Sequence, residues 1–142
     1  MPITEQTEKQ RKLWILDAID QRITVKKLED TVYELNGWKT NIQSRQLKGN
    51  HSWFNLGDSQ YLPTMDYFVF ICGNHDTFYL IPKIEMFKLA KVTTENIIDK
   101  RPQFNINVKT HQYLSGKDQL PILDHYQNWK PIEKIVISPL SH

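Results

Sequence analysis

The sequence has little of several features that would place it in a familiar class. It contains one cysteine, Cys72, so no disulfide can form within the chain, and a reducing compartment fits this usage. Its apolar runs are far too short to span a membrane, and its first residues contain no apolar run of signal-peptide length. It also lacks a glycine-rich phosphate-binding loop and a dinucleotide-binding fingerprint. We therefore expect a soluble, cytoplasmic protein.

Size and composition indicate one folded domain. The chain has 142 residues, of which 39% are hydrophobic and 11% aromatic, and this is enough to bury a core. The formal net charge is only +2 at pH 7, so the total charge permits a polyanionic partner without requiring one. Any surface for nucleic acid must therefore come from local clustering of cations.

Acidic residues are missing from one long segment, residues 35–57, which also carries most of the candidate contact residues. Cations bind any polyanion, whereas amides and a bidentate arginine can discriminate bases, and an exposed tryptophan can stack on a base. We interpret this segment as a DNA contact surface; the alternative is a solvated polar face that joins two elements. The side chains expected to contact DNA are Lys39, Thr40, Asn41, Gln43, Ser44, Arg45, Lys48, His51 and Trp53.

The first part of the chain contains one clear helical pattern and two ambiguous segments. Residues 5–20 have a wide apolar face and predict a helix. In residues 24–36, apolar residues recur at spacings of three and four, which favours a second helix; two short strands at 23–28 and 31–35 are the alternative. Residues 39–47 fit either a third helix or a strand. Three helices in this order would have the spacing of a helix-turn-helix DNA-reading unit.

The rest of the chain alternates short strands with turns and predicts an α/β or α+β fold. N-terminal helices would be followed by a mixed β-sheet with a flanking helix. Residues 73–76 are a turn by composition, although His75 with Asp76 could instead act as a base or ligand. Cys72 is predicted to be a buried thiol at the end of a core strand. The predicted elements are strands at 52–56, 66–72, 77–81 and 104–108, helices at 83–91 and 122–129, a loop at 111–121 and a strand or tail at 132–137.

Three segments carry a resemblance to a known superfamily: IQSRQLKGNHSWFNL (42–56), DYFVFICGNHDTFYLIPK (66–83) and YLSGKDQLPILDHYQNW (113–129). They resemble the PD-(D/E)XK restriction-endonuclease-like superfamily, especially its small intron-associated and restriction-type nucleases. In those relatives, a catalytic strand reading I-Q-V-K or I-E-V-K is followed by a strand like SWFNL. The resemblance implies a restriction-endonuclease-like fold and a Mg²⁺-dependent DNA endonuclease. The chain would then divide, if at all, into a helical DNA-reading unit at 1–49 and a nuclease-like sheet at 50–142.

The same resemblance implies roles for individual residues. Gln43 stands at the second acidic position of the family's motif and Arg45 at its lysine. The first acid is Asp30 or, as second choice, Glu34, so these two are the implied metal ligands and all four form the implied catalytic set. The motif is divergent, because an amide replaces a carboxylate and an arginine cannot release its proton. Both acids also require residues 30–35 to be a strand.

Three functions remain open at this point. The first, which we favour, is a site-specific endonuclease that hydrolyses DNA phosphodiesters with Mg²⁺. The second is a non-catalytic helix-turn-helix protein on a degenerate nuclease scaffold, and the third is a protein-interaction domain whose basic segment is only solvated. A homodimer is expected from cutting two strands at palindromic sites, not from any residue in the chain.

Overall fold

The chain folds into an N-terminal helix and two β-sheets, a mixed α+β arrangement. The structure, a computed structural model, describes residues 2–55, 62–100, 103–115 and 118–133. Two apolar clusters hold the elements together in three layers. One cluster lies between helix α1 (Pro2–Asp20) and the first sheet, and the other lies between the two sheets. No helix in the described part of the chain is long and apolar enough to cross a membrane.

The first sheet has five strands, and one parallel pair lies inside it. Their order is β1-β2-β3-β5-β6; β3 and β5 run parallel and every other neighbouring pair is antiparallel. Strand β5 is buried along most of its length, as its unbroken apolar and aromatic sequence predicts. The strands are β1 (Val25–Lys27), β2 (Val32–Leu35), β3 (Trp38–Arg45), β5 (Tyr67–Cys72) and β6 (Phe78–Pro82).

The favoured helix at residues 24–36 is wrong, because this segment forms strands β1 and β2. Asn36 and Gly37 make the two-residue connection between β2 and β3, with φ angles of 51° and 88°. Leu35 pairs with Trp38 across this turn. Asn-Gly is the sequence that best adopts positive φ at both positions of a tight hairpin turn. The glycine that fits a helix end therefore belongs to a hairpin, and the pairing of β2 with β3 overrides the helical spacing.

The helix-turn-helix prediction is wrong for the same reason. Residues 39–47 do not form a third helix, since β3 occupies most of this segment. Only α1 remains of the three helices, and it packs through Trp14 and Ala18 against Ile42 of β3 instead of against a neighbouring helix.

The second sheet is antiparallel, in the order β4-β7-β8-β9. Its inner face packs on the first sheet through aromatic rings: the centroid of Phe70 lies 4.9 Å from that of Phe54 and 5.1 Å from that of Phe104. This contact fixes the position of β4 over the end of β3. The strands are β4 (His51–Asn55), β7 (Gln103–Asn107), β8 (Gln112–Ser115) and β9 (Asp118–Pro121).

Most of the remaining predictions hold, and two are wrong. The helix at 5–20, the strands at 66–72, 77–81 and 104–108 and the helix at 83–91 are confirmed; the last is α2 (Lys83–Ala90). The strand at 52–56 is confirmed as far as residue 55. The loop at 111–121 is instead the β8–β9 pair, and the helix at 122–129 is one 3-10 turn, Leu123–His125. Residues 134–137 of the predicted last strand lie outside the described residues.

One short helix and the two remaining 3-10 turns complete the described fold. They are α3 (Ile97–Lys100), Leu62–Thr64 and Lys130–Ile132.

The buried thiol of Cys72 gives a chemical test of this core. Cys72 ends β5 and has no solvent exposure, and burial raises the pKa of its thiol to about 12. Because the thiolate is the reacting species, we expect iodoacetamide at pH 8 to leave the native protein unmodified and to label it once per chain in denaturant, as read by intact mass. The stabilisation from the neutral thiol is fully present below about pH 9 and lost as the pH rises to about 12. Labelling of the native protein at the denatured rate would contradict this core.

Candidate nucleic-acid interface

Strand β3 divides the predicted contact residues between the two faces of the first sheet. Successive side chains of a strand point to opposite faces, so Thr40 and Ser44 share the face of Ile42, which α1 covers. Thr40 is 0% exposed and its hydroxyl donates to the carbonyl of Trp38 at 3.1 Å. Ser44 is 4% exposed. The prediction that these two hydroxyls contact DNA is therefore wrong.

Asn41 and Gln43 lie on the other face, between the two sheets. Gln43 Nε2 donates to Asn41 Oδ1 at 2.9 Å, and Asn41 Nδ2 donates to the hydroxyl of Thr31 at 3.1 Å. Direct base contact is wrong for both amides, because they are only 1% and 7% exposed. Within the described residues, the Gln43 Oε1 atom has no hydrogen-bond partner. A buried amide oxygen without a partner is costly, and two more buried atoms of the described residues share this property, Trp14 Nε1 and Ser44 Oγ.

Asp30 lies in the bend that joins β1 to β2, next to the end of the β2–β3 pairing. In that pairing Val32 is opposite Asn41, and the Ile42 N–H donates to the Thr31 carbonyl at 2.7 Å. The chain turns back before Thr31, where the Glu29 N–H donates to the Val32 carbonyl at 3.1 Å. Asp30 itself is exposed in the turn before β2.

Glu34 is too far along the strand to bind the same ion as Gln43. It is opposite Lys39, four residues along β3 from Gln43, which is roughly 13 Å at the rise of a β-strand. Ligand oxygens on one Mg²⁺ ion lie about 2.0–2.1 Å from it, so no single ion reaches both positions. The prediction that Asp30, Glu34 and Gln43 serve one ion is therefore wrong for Glu34, and it stays a prediction for Asp30.

Basic residues lie where β3 leaves the sheet. Arg45 is the last residue of β3; it is exposed, and its guanidinium donates to the carbonyl of Ser44 at 2.8 Å. The following residues, 46–50, are all exposed. Lys48 and His51 pair through their backbones, at 2.8 and 3.1 Å, on either side of Gly49. Lys48 therefore lies on a tight, exposed turn three residues after Arg45. A polyanion could reach its side chain there.

The outer face of the second sheet is rich in amides. Trp53 is 53% exposed at its centre, and His51 Nδ1 lies 3.1 Å from Asn105 Oδ1. The strand registers place ten described residues on this face, none of them acidic. We call this set the amide face: His51, Trp53, Asn55, Gln103, Asn105, Asn107, Gln112, Leu114, Gln119 and Pro121.

Sequence reasoning found only two members of the amide face, His51 and Trp53. The signal for others was the alternation Q-F-N-I-N at 103–107, in which apolar residues point inward and amides outward. Which strands would lie beside β4 required the sheet order, and that order joins segments far apart in the chain.

A second group of polar side chains was predicted only in part, because the sequence indicated His75 and Asp76 but not Asp17. The predicted turn after Cys72 is confirmed, and there His75 meets Asp17 of α1: His75 Nε2 lies 3.5 Å from Asp17 Oδ2 and 3.3 Å from Asp76 Oδ1. The sequence placed His75 in a hairpin turn but contained no signal for the approach of α1.

The residue types of the predicted site suit a hard dication. An amide oxygen such as that of Gln43 and a carboxylate such as that of Asp30 are oxygen ligands that Mg²⁺ prefers, and Mg²⁺ commonly keeps several waters beside one or two protein ligands. With Asp30 as its only carboxylate, the predicted set supplies less charge to the ion than a two-acid site would.

No protein-family model, no curated protein and no solved structure matches this chain. A function is therefore proposed from the residues of the chain itself.

A pair of substitutions tests whether Gln43 is kept for the fold. In Gln43→Leu one hydrogen bond is lost, and Asn41 Oδ1 replaces Gln43 Oε1 as the unsatisfied oxygen, so we expect the free energy of unfolding to fall by less than about 1.5 kcal/mol, the contribution of one hydrogen bond. Asn41→Leu leaves Gln43 Nε2 without its acceptor and should destabilise more, by about 1–3 kcal/mol. Urea unfolding of both variants measures this. A larger loss in Gln43→Leu than in Asn41→Leu would make Gln43 a structural residue.

Proposed function

We propose that this protein is a site-specific DNA endonuclease of the PD-(D/E)XK type that hydrolyses phosphodiester bonds with Mg²⁺. The observation that carries the proposal is the buried, unpartnered oxygen of Gln43 on β3, with Arg45 two residues further along the same face and Asp30 in the bend before the neighbouring strand β2. The order β1-β2-β3-β5, with β3 and β5 parallel, is consistent with a restriction-endonuclease-like core.

Each residue of this set has one task in the proposed chemistry. Asp30 and Gln43 would hold the ion, whose contribution when bound is to polarise a water and a phosphate oxygen. Arg45 stays protonated at every physiological pH, so it cannot accept the proton of the attacking water. Its guanidinium instead donates charge-assisted hydrogen bonds to the phosphate oxygens on which charge develops.

In the proposed function, the amide face recognises the base sequence of the DNA. Asparagine and glutamine can form bidentate hydrogen bonds to adenine in the major groove, and β-strands as well as helices are used there. Lys48, on the adjoining turn, would contact phosphate and contribute affinity without sequence preference. Since double-strand cutting needs two catalytic sites, the proposal includes a symmetric pair of chains on DNA.

A second function is favoured by the divergence of the motif itself. An arginine at the lysine position and a single carboxylate at the ion weaken the case for catalysis. The alternative is a DNA-binding protein that reads sequence through the amide face and does not cut. A helix-turn-helix plays no part in it, because the segments that would form its helices are strands.

Cleavage separates the two functions. We expect supercoiled plasmid to be cut in Mg²⁺ or Mn²⁺ but not in EDTA, and Asp30→Asn to slow cutting by at least about 100-fold, because the ion supplies several kcal/mol of transition-state stabilisation. Glu34→Gln is the matched control, an acid of the same strand face that cannot reach the ion, and should cut at the wild-type rate. Equal loss in both variants would refute the Asp30 assignment, and no cutting by the wild type would leave the binding function.

Salt dependence tests the DNA interface independently of cleavage. In Ca²⁺ or EDTA, Lys48→Ala should reduce the slope of log affinity against log salt by about 0.9 and weaken all duplexes equally. Gln103→Ala should leave the slope unchanged and cost about 1–3 kcal/mol of discrimination at one base pair. Lys12→Ala, an exposed cation on α1, is the control with no expected effect. A slope insensitive to Lys48, measured by fluorescence anisotropy, would remove this turn from the interface.

A further inference from the structure

Three side chains with metal-binding atoms converge between α1 and the turn that joins β5 to β6. Asp17 projects from the last part of α1, and His75 and Asp76 lie in the turn. His75 Nε2 is 3.5 Å from Asp17 Oδ2 and 3.3 Å from Asp76 Oδ1, and one ligand atom of each residue lies within 4.8 Å of the others. In the described part of the chain, no other group of three such residues meets this condition.

Gln10 fixes the orientation and the protonation of the His75 ring. The side-chain oxygen of Gln10 accepts the His75 backbone N–H at 2.9 Å, and because a backbone N–H only donates, this atom must be the oxygen of the amide. The same oxygen lies 3.2 Å from His75 Nδ1, so Nδ1 carries the hydrogen. Gln10 is only 7% exposed and belongs to α1. This is the outer partner that metal-binding histidines ordinarily have.

The consequence is a concentration of electron pairs that needs a positive partner. With Nδ1 protonated, the lone pair of His75 Nε2 faces the oxygens of two carboxylates, and all three atoms repel one another. Only a proton or a cation between them relieves this repulsion. Both carboxylates are partly exposed, so an ion can reach them from solvent.

The separations between these atoms match a tetrahedral metal site. Zinc ligands lie about 2.0–2.1 Å from the metal, and at tetrahedral angles that puts ligand atoms roughly 3.3–3.4 Å apart. The two separations from His75 Nε2, 3.3 and 3.5 Å, are close to this value without any rearrangement. A hydrogen-bonded ion pair of His⁺ with one carboxylate would need only one such distance.

The three atoms open onto a cavity of about 330 Å³. Asp20 and Gln127 also line it, and Gln127 Nε2 donates to the carbonyl of Asp76 at 2.6 Å, which holds the turn in place. Three protein ligands leave a fourth position towards this cavity for water or another small ligand. Such an open position is a feature of exchangeable and catalytic zinc sites, whereas structural sites are closed by four protein ligands.

We propose that Asp17, His75 and Asp76 bind a divalent transition-metal ion of the zinc class, with Gln10 as the positioning residue of His75. The imidazole favours zinc, cobalt or nickel over Mg²⁺, which takes oxygen ligands. The ion ties α1 to the β5–β6 turn, so binding also stabilises the folded chain. This site is on the α1 side of the first sheet, opposite Gln43, and it does not depend on the endonuclease proposal.

Metal binding by the full chain, freed of metal with chelator, tests the site. We expect one Co²⁺ per chain with the visible absorption of a tetrahedral site, displaced by an equivalent of Zn²⁺, and a thermal midpoint that rises with Zn²⁺ concentration. His75→Ala and Asp76→Asn should each weaken Zn²⁺ binding in calorimetry by more than about 100-fold, and Gln10→Leu by about 10–100-fold, as for the loss of an outer partner. Asp76 is an exposed turn residue, so its isosteric variant keeps the fold even where His75→Ala does not.

His125→Ala is the matched control, because His125 also has acids nearby, Asp124 and Glu85, but no third ligand atom in range. It should bind Co²⁺ and Zn²⁺ as the wild type does. Absence of Co²⁺ and Zn²⁺ binding by the wild type, unchanged affinity in Asp76→Asn, or equal loss in His125→Ala would each overturn the proposal. Plasmid cutting and DNA affinity are not read in this experiment, so its failure leaves the proposed function untouched.

Discussion

The two-residue turn at Asn36 and Gly37 is the constraint on which the rest of the structure depends. A side-chain period of two means that a slip by one residue would exchange the faces of β3, so the turn that sets the register also decides which residues are buried under α1. With Leu35 opposite Trp38, Ile42 faces Trp14 of α1 and Gln43 faces the second sheet. The same register continues to the Ile42–Thr31 hydrogen bond, so the turn also fixes how far β2 and β3 pair before the chain bends at Asp30.

The two sheets give this constraint its functional consequences. Aromatic packing between Phe54, Phe70 and Phe104 holds the inner face of the second sheet, and alternation along its strands then places amides on the opposite face. A single chain thus presents the candidate residues Gln43 and Arg45 on β3, a basic turn after β3 and an amide face on the neighbouring sheet. We infer that the proposed phosphodiester hydrolysis and the proposed recognition of DNA sequence use different sheets of the molecule.

The sequence predicted the features that depend on neighbouring residues better than those that depend on strand pairing. Local patterns were sufficient for the helix ending at Asp20 and for the apolar strand ending at Cys72. The spacing of Val25, Leu28, Val32 and Leu35 fits a helix, and only the pairing of β2 with β3 makes it a hairpin, although Asn36-Gly37 was a local sign of the turn. The basic segment was interpreted as one surface, but a strand sends its neighbours to opposite faces, which buries Thr40 and Ser44.

The contacts between distant segments had no sequence signal. Asp17 meets His75 only because α1 packs along the first sheet, and Gln103 joins the amide face only because β7 lies beside β4. The site implied by the nuclease resemblance required strands at residues 30–35, while helical spacing argued against them. Strand β2 is present at Val32–Leu35, and Asp30 lies in the bend before it.

The most direct test of the central claim is paramagnetic broadening by Mn²⁺ in the His75→Ala variant, which removes the proposed second metal site. Because the proposal assigns the ion to Asp30 and Gln43, the side-chain amide signal of Gln43 and the backbone signals of Asp30 should broaden first, and Asp30→Asn should abolish the effect. Sharp signals at both residues, with broadening elsewhere or nowhere, would contradict the account.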